Sequence, residues 1–201
     1  MKKLFYLLVA LMISQNLLAQ TKTWAGTTSS DWNTASNWSP TGVPGAGDYV
    51  TIGSGSRNPI LSTTATVRSV QLNNSMQFTV SSTGRLNIVG DGGNIAGISF
   101  YESTSLQNDG SIYIEALNGS TLTYTDIFYG ATSNGSSLIN NGLIRINTTA
   151  FVVNIRSGNT FTNNSCGRIV TLGGGTFLNS GVVTNSGLIE TANGISQSGT
   201  Y

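Results

Sequence analysis

Histidine is absent, so acid–base chemistry in this chain would fall mainly to eight carboxylates: Asp31, Asp48, Asp91, Glu102, Asp109, Glu115, Asp126 and Glu190. A glycosidase or a calcium-dependent lyase brings two or more such groups together in one groove. Here they are scattered along the sequence. Asp109 and Glu115 are the nearest pair to such a site, but Asp109 occupies a turn position held by Asn141 and Ser180 in sister segments, which marks a solvated turn residue. Arg145 and Arg168 fall on outward positions of an alternating pattern. The single Cys166, between Ser165 and Gly167, has no histidine to activate it and no partner for an internal disulfide, so a loop or buried thiol is expected. Metal sites of the nitrogen and sulfur type lack ligands. The glycine-rich stretch at 90–94 lacks the lysine and following helix of a phosphate loop and does not match the calcium-binding nonapeptide. No cofactor is expected, and no catalytic or metal-ligating residue is assigned.

Two other residue types could bind rather than react. Trp24, Trp32 and Trp38 could stack on sugar rings, yet their spacing in a turn-rich segment gives no common plane, and large amphipathic rings also close the open end of a stacked β structure. Thr121, Thr123 and Thr125 form one line of hydroxyls of the kind that orders water in ice- or crystal-binding lattices. A lattice needs matching lines on neighbouring segments, and Ile112–Ile114 and Arg145–Asn147 do not supply them.

The elements that would carry these residues come from a recurring unit: apolar, x, Asn, x, Gly, then alternating apolar residues. It begins at Leu106, Leu138, Phe177 and Val183, with a version lengthened by two residues at Phe161. The expected bends are Asn108/Gly110, Asn140/Gly142, Asn179/Gly181 and Asn185/Gly187. Asn and Gly tolerate left-handed backbone angles, and the flanking alternation buries one face of each strand. The starts are 32, 23, 16 and 6 residues apart, an irregular period typical of β-helices with loops of unequal length. Further strands are expected at 67–72, 77–80, 85–89, 98–101, 122–124, 127–129 and 151–155, and no window past the first residues carries a helical stripe. The expected fold is all-β: a right-handed parallel β-helix, or β-solenoid, with a Trp-rich N-terminal cap.

Residues 1–19 place Lys2 and Lys3 before an apolar run, the layout of a cleaved signal peptide, with a mature chain from Gln20 or Thr21. The run is too short for a membrane span of about 20 residues. Cleavage leaves seven basic against eight acidic side chains, a net charge of −1, which argues against nucleic acid and anionic membranes as partners. Residues 20–201 are then expected to form one β-helix domain, with 20–52 as the cap segment and 53–201 as rungs. Asn193-Gly194-Ile195 starts what reads as another bend, so the chain is expected to be truncated at its C-terminus and to self-associate end to end.

The elements Trp24-x-Gly26, Asp31-Trp32-Asn33, Asn37-Trp38-Ser39, Val43-Pro44 and Asp48-x-Val50-x-Ile52 resemble the start of secreted, autotransporter-like or haemagglutinin-like β-helix proteins of Bacteroidetes. The resemblance is specific over residues 24–52 and architectural beyond. It implies an opening segment before β-helix rungs and display at, or release from, the cell surface. Three functions stand: a non-enzymatic structural or adhesin-like module contacting a surface polysaccharide or a cell-surface protein, a polysaccharide-acting enzyme on the same scaffold, and a carbohydrate-binding module using Trp24, Trp32 or Trp38. Fold alone does not choose among them.

Overall fold

The computed structural model describes residues 19–90, 96–115, 125–129, 135–147, 153–173, 177–191 and 195–197, and only the backbone of 96, 125–129, 153, 177–178 and 195–197. Residues 1–18 of the proposed leader, Asp91, Thr121, Thr123, the expected strand at 122–124, Asn193, Gly194 and the final residues 198–201 lie outside them.

Short strands dominate, each alternating inward and outward side chains with the period of two that an extended chain imposes. After β1 (Thr21–Trp24), a single 3-10 turn at Ala35–Asn37 and β2 (Trp38–Ser39), the chain settles into a repeating circuit. Its first turn is β3 (Tyr49–Ile52), β4 (Ile60–Leu61) and β5 (Thr64–Val67). The second is β6 (Ser69–Leu72), β7 (Gln77–Val80) and β8 (Arg85–Ile88), and the third β9 (Ala96–Phe100), β10 (Ser105–Asn108) and β11 (Ser111–Ile114). Then follow β12 (Thr125–Tyr129), β13 (Ser137–Asn140) and β14 (Leu143–Asn147), and next β15 (Val153–Ile155), β16 (Thr160–Asn163) and β17 (Arg168–Leu172). The last are β18 (Phe177–Asn179), β19 (Val182–Asn185), β20 (Leu188–Glu190) and β21 (Ile195–Gln197).

Every third strand joins the same sheet. The first face runs β2-β1-β3-β6-β9-β12, and the separate sheet β15-β18-β21 follows it, with β15 packed beside β12. The second face runs β4-β7-β10-β13-β16-β19, and the third runs β5-β8-β11-β14-β17-β20. All these pairs are parallel except β1 with β2. The pairing therefore joins residues one circuit apart, and the circuits differ in length: Asn108 to Asn140, Asn140 to Asn163 and Asn163 to Asn185 are 32, 23 and 22 residues.

The register stacks like on like. On the second face, Phe78, Leu106, Leu138, Phe161 and Val183 stand in one buried column. On the third, Leu86, Ile112, Ile144 and Ile169 do the same, with Ile189 half-buried at the end. Each such side chain contributes about 1.5–3 kcal/mol through removal from water. An all-β fold with parallel sheets is what the alternation predicts. One boundary differs from expectation. Residues 67–72 are not one strand: Arg68 separates β5 from β6, which lie on different faces, because the chain turns a corner there. Around the expected boundary at residue 52 the pairing is continuous: β1 of the opening pairs with β3, and β3 pairs with β6.

Candidate functional site

The opening segment gathers its three tryptophans into one buried aromatic cluster. Trp24, Trp32 and Trp38 are each at most 2% exposed. Trp38 stands edge-on to Trp24 (centroids 4.9 Å, 76°) and to Trp32 (4.7 Å, 71°), and Trp32 stacks on Phe78 at 5.2 Å, tying the segment to the core of the second face. Two indole N–H groups donate to backbone carbonyls, Trp38 Nε1 to Trp32 at 2.7 Å and Trp24 Nε1 to Arg57 at 2.6 Å. Fully buried Asn37 holds the intervening loop: its Oδ1 accepts from Thr28 N and Ser29 N, and its Nδ2 donates to the Asp31 carbonyl and Ser29 Oγ. Residues 30–32 pair with Ile60, covering the edge of β4. A sugar platform on these three tryptophans is thus corrected: no indole face is open, because the rings serve as each other's packing partners.

The Asn-x-Gly bends lie at corners, as expected, but the physical reason is different. Asn108, Asn140, Asn163 and Asn185 end the strands of the second face. Their side chains form a ladder inside the stack, Nδ2 to Oδ1 at 2.7, 2.8 and 2.8 Å from each circuit to the next. Asn108, Asn140 and Asn163 are fully buried. Gly110, Gly142 and Gly187 do not have the positive φ that the bend reading supposed. A Cβ on Gly142 would fall on the Gly110 carbonyl, and one on Gly187 on the Gly167 carbonyl, so glycine lets successive backbones approach. Asn179/Gly181 is the exception: it follows β18 on the first face, so the six-residue period at 177 and 183 is two different corners. There the Asn179 Oδ1 accepts from Gly181 N at 3.0 Å, and both Ser180 and Gly181 donate to the Ile155 carbonyl.

A second polar column, unannounced in the sequence, runs up the corner before the second face. Thr104, Ser136 and Asn159 are fully buried, with Thr104 Oγ1 and Ser136 Oγ 3.4 Å apart and Asn159 Oδ1 accepting from Ser136 N at 3.0 Å. Three unlike residue types share this position, which hides it from pattern reading.

The outer faces differ in chemistry. On the third face Arg85 lies 4.0 Å over the Tyr113 ring and donates to Asn87, Arg145 pairs with Glu115 at 2.8 Å, and Arg168 pairs with Glu190 at 2.8 Å. On the second face the outward positions form two columns: Gln77, Ser105, Ser137, Thr160 and Val182, and beside it Thr79, Gln107, Ile139, Thr162 and Thr184. A shallow open depression of about 350 Å³ lies among Gln77, Ser105, Gln107, Ser137 and Ile139.

Of the carboxylates with described side chains, Asp31, Asp48, Asp109, Glu115 and Glu190 make local contacts, and Glu102 stands exposed. Asp31 accepts from Asn33 N and Thr34 Oγ1, and Asp48 from Gly45 N. Asp109 accepts from Gln107 and from Asn141, whose Oδ1 in turn accepts from Asn164, an outer ladder beside the inner one. Asp109 and Glu115 therefore face separate partners, Asn141 and Arg145. Among the described residues no three His, Cys, Asp or Glu side chains gather as for a metal. Cys166 is exposed in the turn between β16 and β17. No helix among the described residues is long and apolar enough to cross a membrane.

The profile of a domain of unknown function, DUF8693, matches residues 23–112, from the tryptophan cluster to β11. No curated protein and no solved structure matches the chain.

Proposed function

We propose that this chain is a secreted or surface-displayed, non-enzymatic β-solenoid, a structural or adhesin-like module of the kind its opening resembles. In this reading the three faces form a right-handed parallel β-helix, the hand that parallel crossovers strongly favour. The tryptophan segment is its N-terminal cap. The observation that carries the proposal is the cyclic strand order with in-register pairing from circuit to circuit. Such a stack grows by adding circuits, each covering the last, and presents long outer faces rather than a closed pocket. The engaged carboxylates support a contacting role over a reacting one, since Glu115 and Glu190 are neutralised by arginines and Asp109 is spent on a turn. Partners in this reading are a surface polysaccharide or a cell-surface protein.

Two measurements test it. Export predicts a mature N-terminus at Gln20 or Thr21 in the extracellular or surface fraction, read by intact mass; a retained Met1 overturns secretion. A polysaccharide screen for new reducing ends and unsaturated products is expected to find none. Turnover abolished by Asp109→Asn or Glu115→Gln would establish the enzyme instead.

A further inference from the structure

The two well-described outer faces treat their polar groups in opposite ways. Guanidinium, phenol, amide and carboxylate groups of the third face are matched to one another through Arg85–Tyr113, Arg145–Glu115 and Arg168–Glu190. On the second face the hydroxyls of Thr79, Ser105, Ser137, Thr160 and Thr162 bond to no other side chain among the described residues. The strands of that face carry no ionisable side chain. The depression sits at the middle of this face, with Ile139 as its apolar patch and Gln77 and Gln107 at its edges.

We infer that the second face binds a neutral, hydroxyl-rich polysaccharide laid along the stack, with one sugar ring seated over Ile139 in the depression. Backbone pairing sets polar groups about 4.8 Å apart from circuit to circuit and about 6.6 Å apart along a strand. A chain of repeated sugar units meets such a grid with repeated donors and acceptors, while its C–H face covers the half-buried Ile139 side chain. The strands of the face carry no charge and the Asp109 carboxylate at its corner is bonded to Gln107, which matches a neutral polymer and leaves an acidic one without a counter-ion. An ordered water lattice would want one residue type per column, and Gln107 and Ile139 interrupt the hydroxyls. The inference rests on the non-enzymatic reading above and names its ligand class and surface.

The test is depletion of the mature protein from solution by insoluble β-1,4-glucan, chitin and mannan, with soluble pectate as the anionic competitor. The expected result is retention on at least one neutral polymer, undiminished by pectate. Replacing Ser137→Asp and Thr162→Asp together should weaken retention at least tenfold, and Arg168→Ser with Glu190→Ser should change it less than twofold. Should the aspartate variant not fold, amide shifts of the unaltered protein titrated with the matching soluble oligosaccharide are expected to move at 77–79, 105–107 and 137–139. No retention on any neutral polymer, preference for pectate, equal loss in both variants, or ice shaping without glycan retention would each overturn the inference. Retention on this face together with release of reducing ends would instead overturn the non-enzymatic reading and leave the face assignment in place.

Discussion

Between the second and third circuits the inward corner positions change chemistry. Met76 and Val80 flank the second face in one circuit, and Thr104 and Asn108 stand beside them in the next. In the early circuits a corner is held by burial, which depends on area and tolerates any apolar shape of about the right size. In the later ones it is held by amides that are satisfied only if the neighbouring circuit supplies a partner at the same height. The ladder begins abruptly: the buried Asn108 Oδ1 has no hydrogen-bond partner, because its neighbour in the column is Val80. The difference teaches that apolar corners fix that circuits stack, and polar corners fix in which register they do so. A one-residue slip would orphan every buried amide in the column.

The largest expected effect comes from breaking the ladder at its middle. Asn140→Leu removes one acceptor of Asn108 Nδ2, which keeps the Leu143 carbonyl, and the donor to Asn163 Oδ1, which leaves that buried oxygen unmatched. The cost should be about 3 kcal/mol, with urea midpoints as the readout. The same chemistry in reverse should be smaller. Val80→Asn supplies a donor to the orphaned Asn108 Oδ1, whereas Leu61→Asn one circuit earlier meets only apolar neighbours in its column. Leu61→Asn is expected to be the more destabilising by about 2 kcal/mol, and equal losses would mean the early and late corners do not differ in kind.

Much of this was readable in the sequence, and its limits are physical. Alternation placed Gln77–Val80, Leu106–Asn108 and Leu143–Ile146 on strands because one face must be apolar whatever the partner is. Asn-x-Gly marked the corners at 108, 140 and 185. It misled at 179 because the same residues also suit the preceding corner, where Asn179 binds its own turn at Gly181 N. Why Gly142 is glycine depends on the Gly110 carbonyl, 32 residues away in sequence, which local backbone preference cannot reveal. No sequence pattern marked the second face, where Ser105, Ser137 and Thr160 fall in one outward column and Thr79, Thr162 and Thr184 in the other. Circuits of 32, 23 and 22 residues hide which residues become neighbours. Tryptophan spacing announced an aromatic opening, but only packing against Phe78 shows that the rings face inward.

The smallest expected effect lies on the outside of the later circuits. Arg168 and Glu190 are bonded at 2.8 Å, but their side chains are 55% and 45% exposed. Their coupling in a double-mutant cycle should stay under about 0.5 kcal/mol and fade as salt rises, as solvent screens exposed pairs. A coupling that matches the buried ladder would mean that outer contacts, not corners, hold the register.

The most direct test of the account is a double-mutant cycle between Asn140 and Asn163, which meet only if circuits stack in the register described. The two lie 23 residues apart in sequence and 2.8 Å apart through Nδ2 and Oδ1. With Asn140→Leu, Asn163→Leu and both together, the double variant is predicted to be more stable than the sum of the single losses by more than about 1 kcal/mol, because removing both partners leaves fewer orphaned groups. Additivity within about 0.3 kcal/mol would contradict the ladder and the register that rests on it.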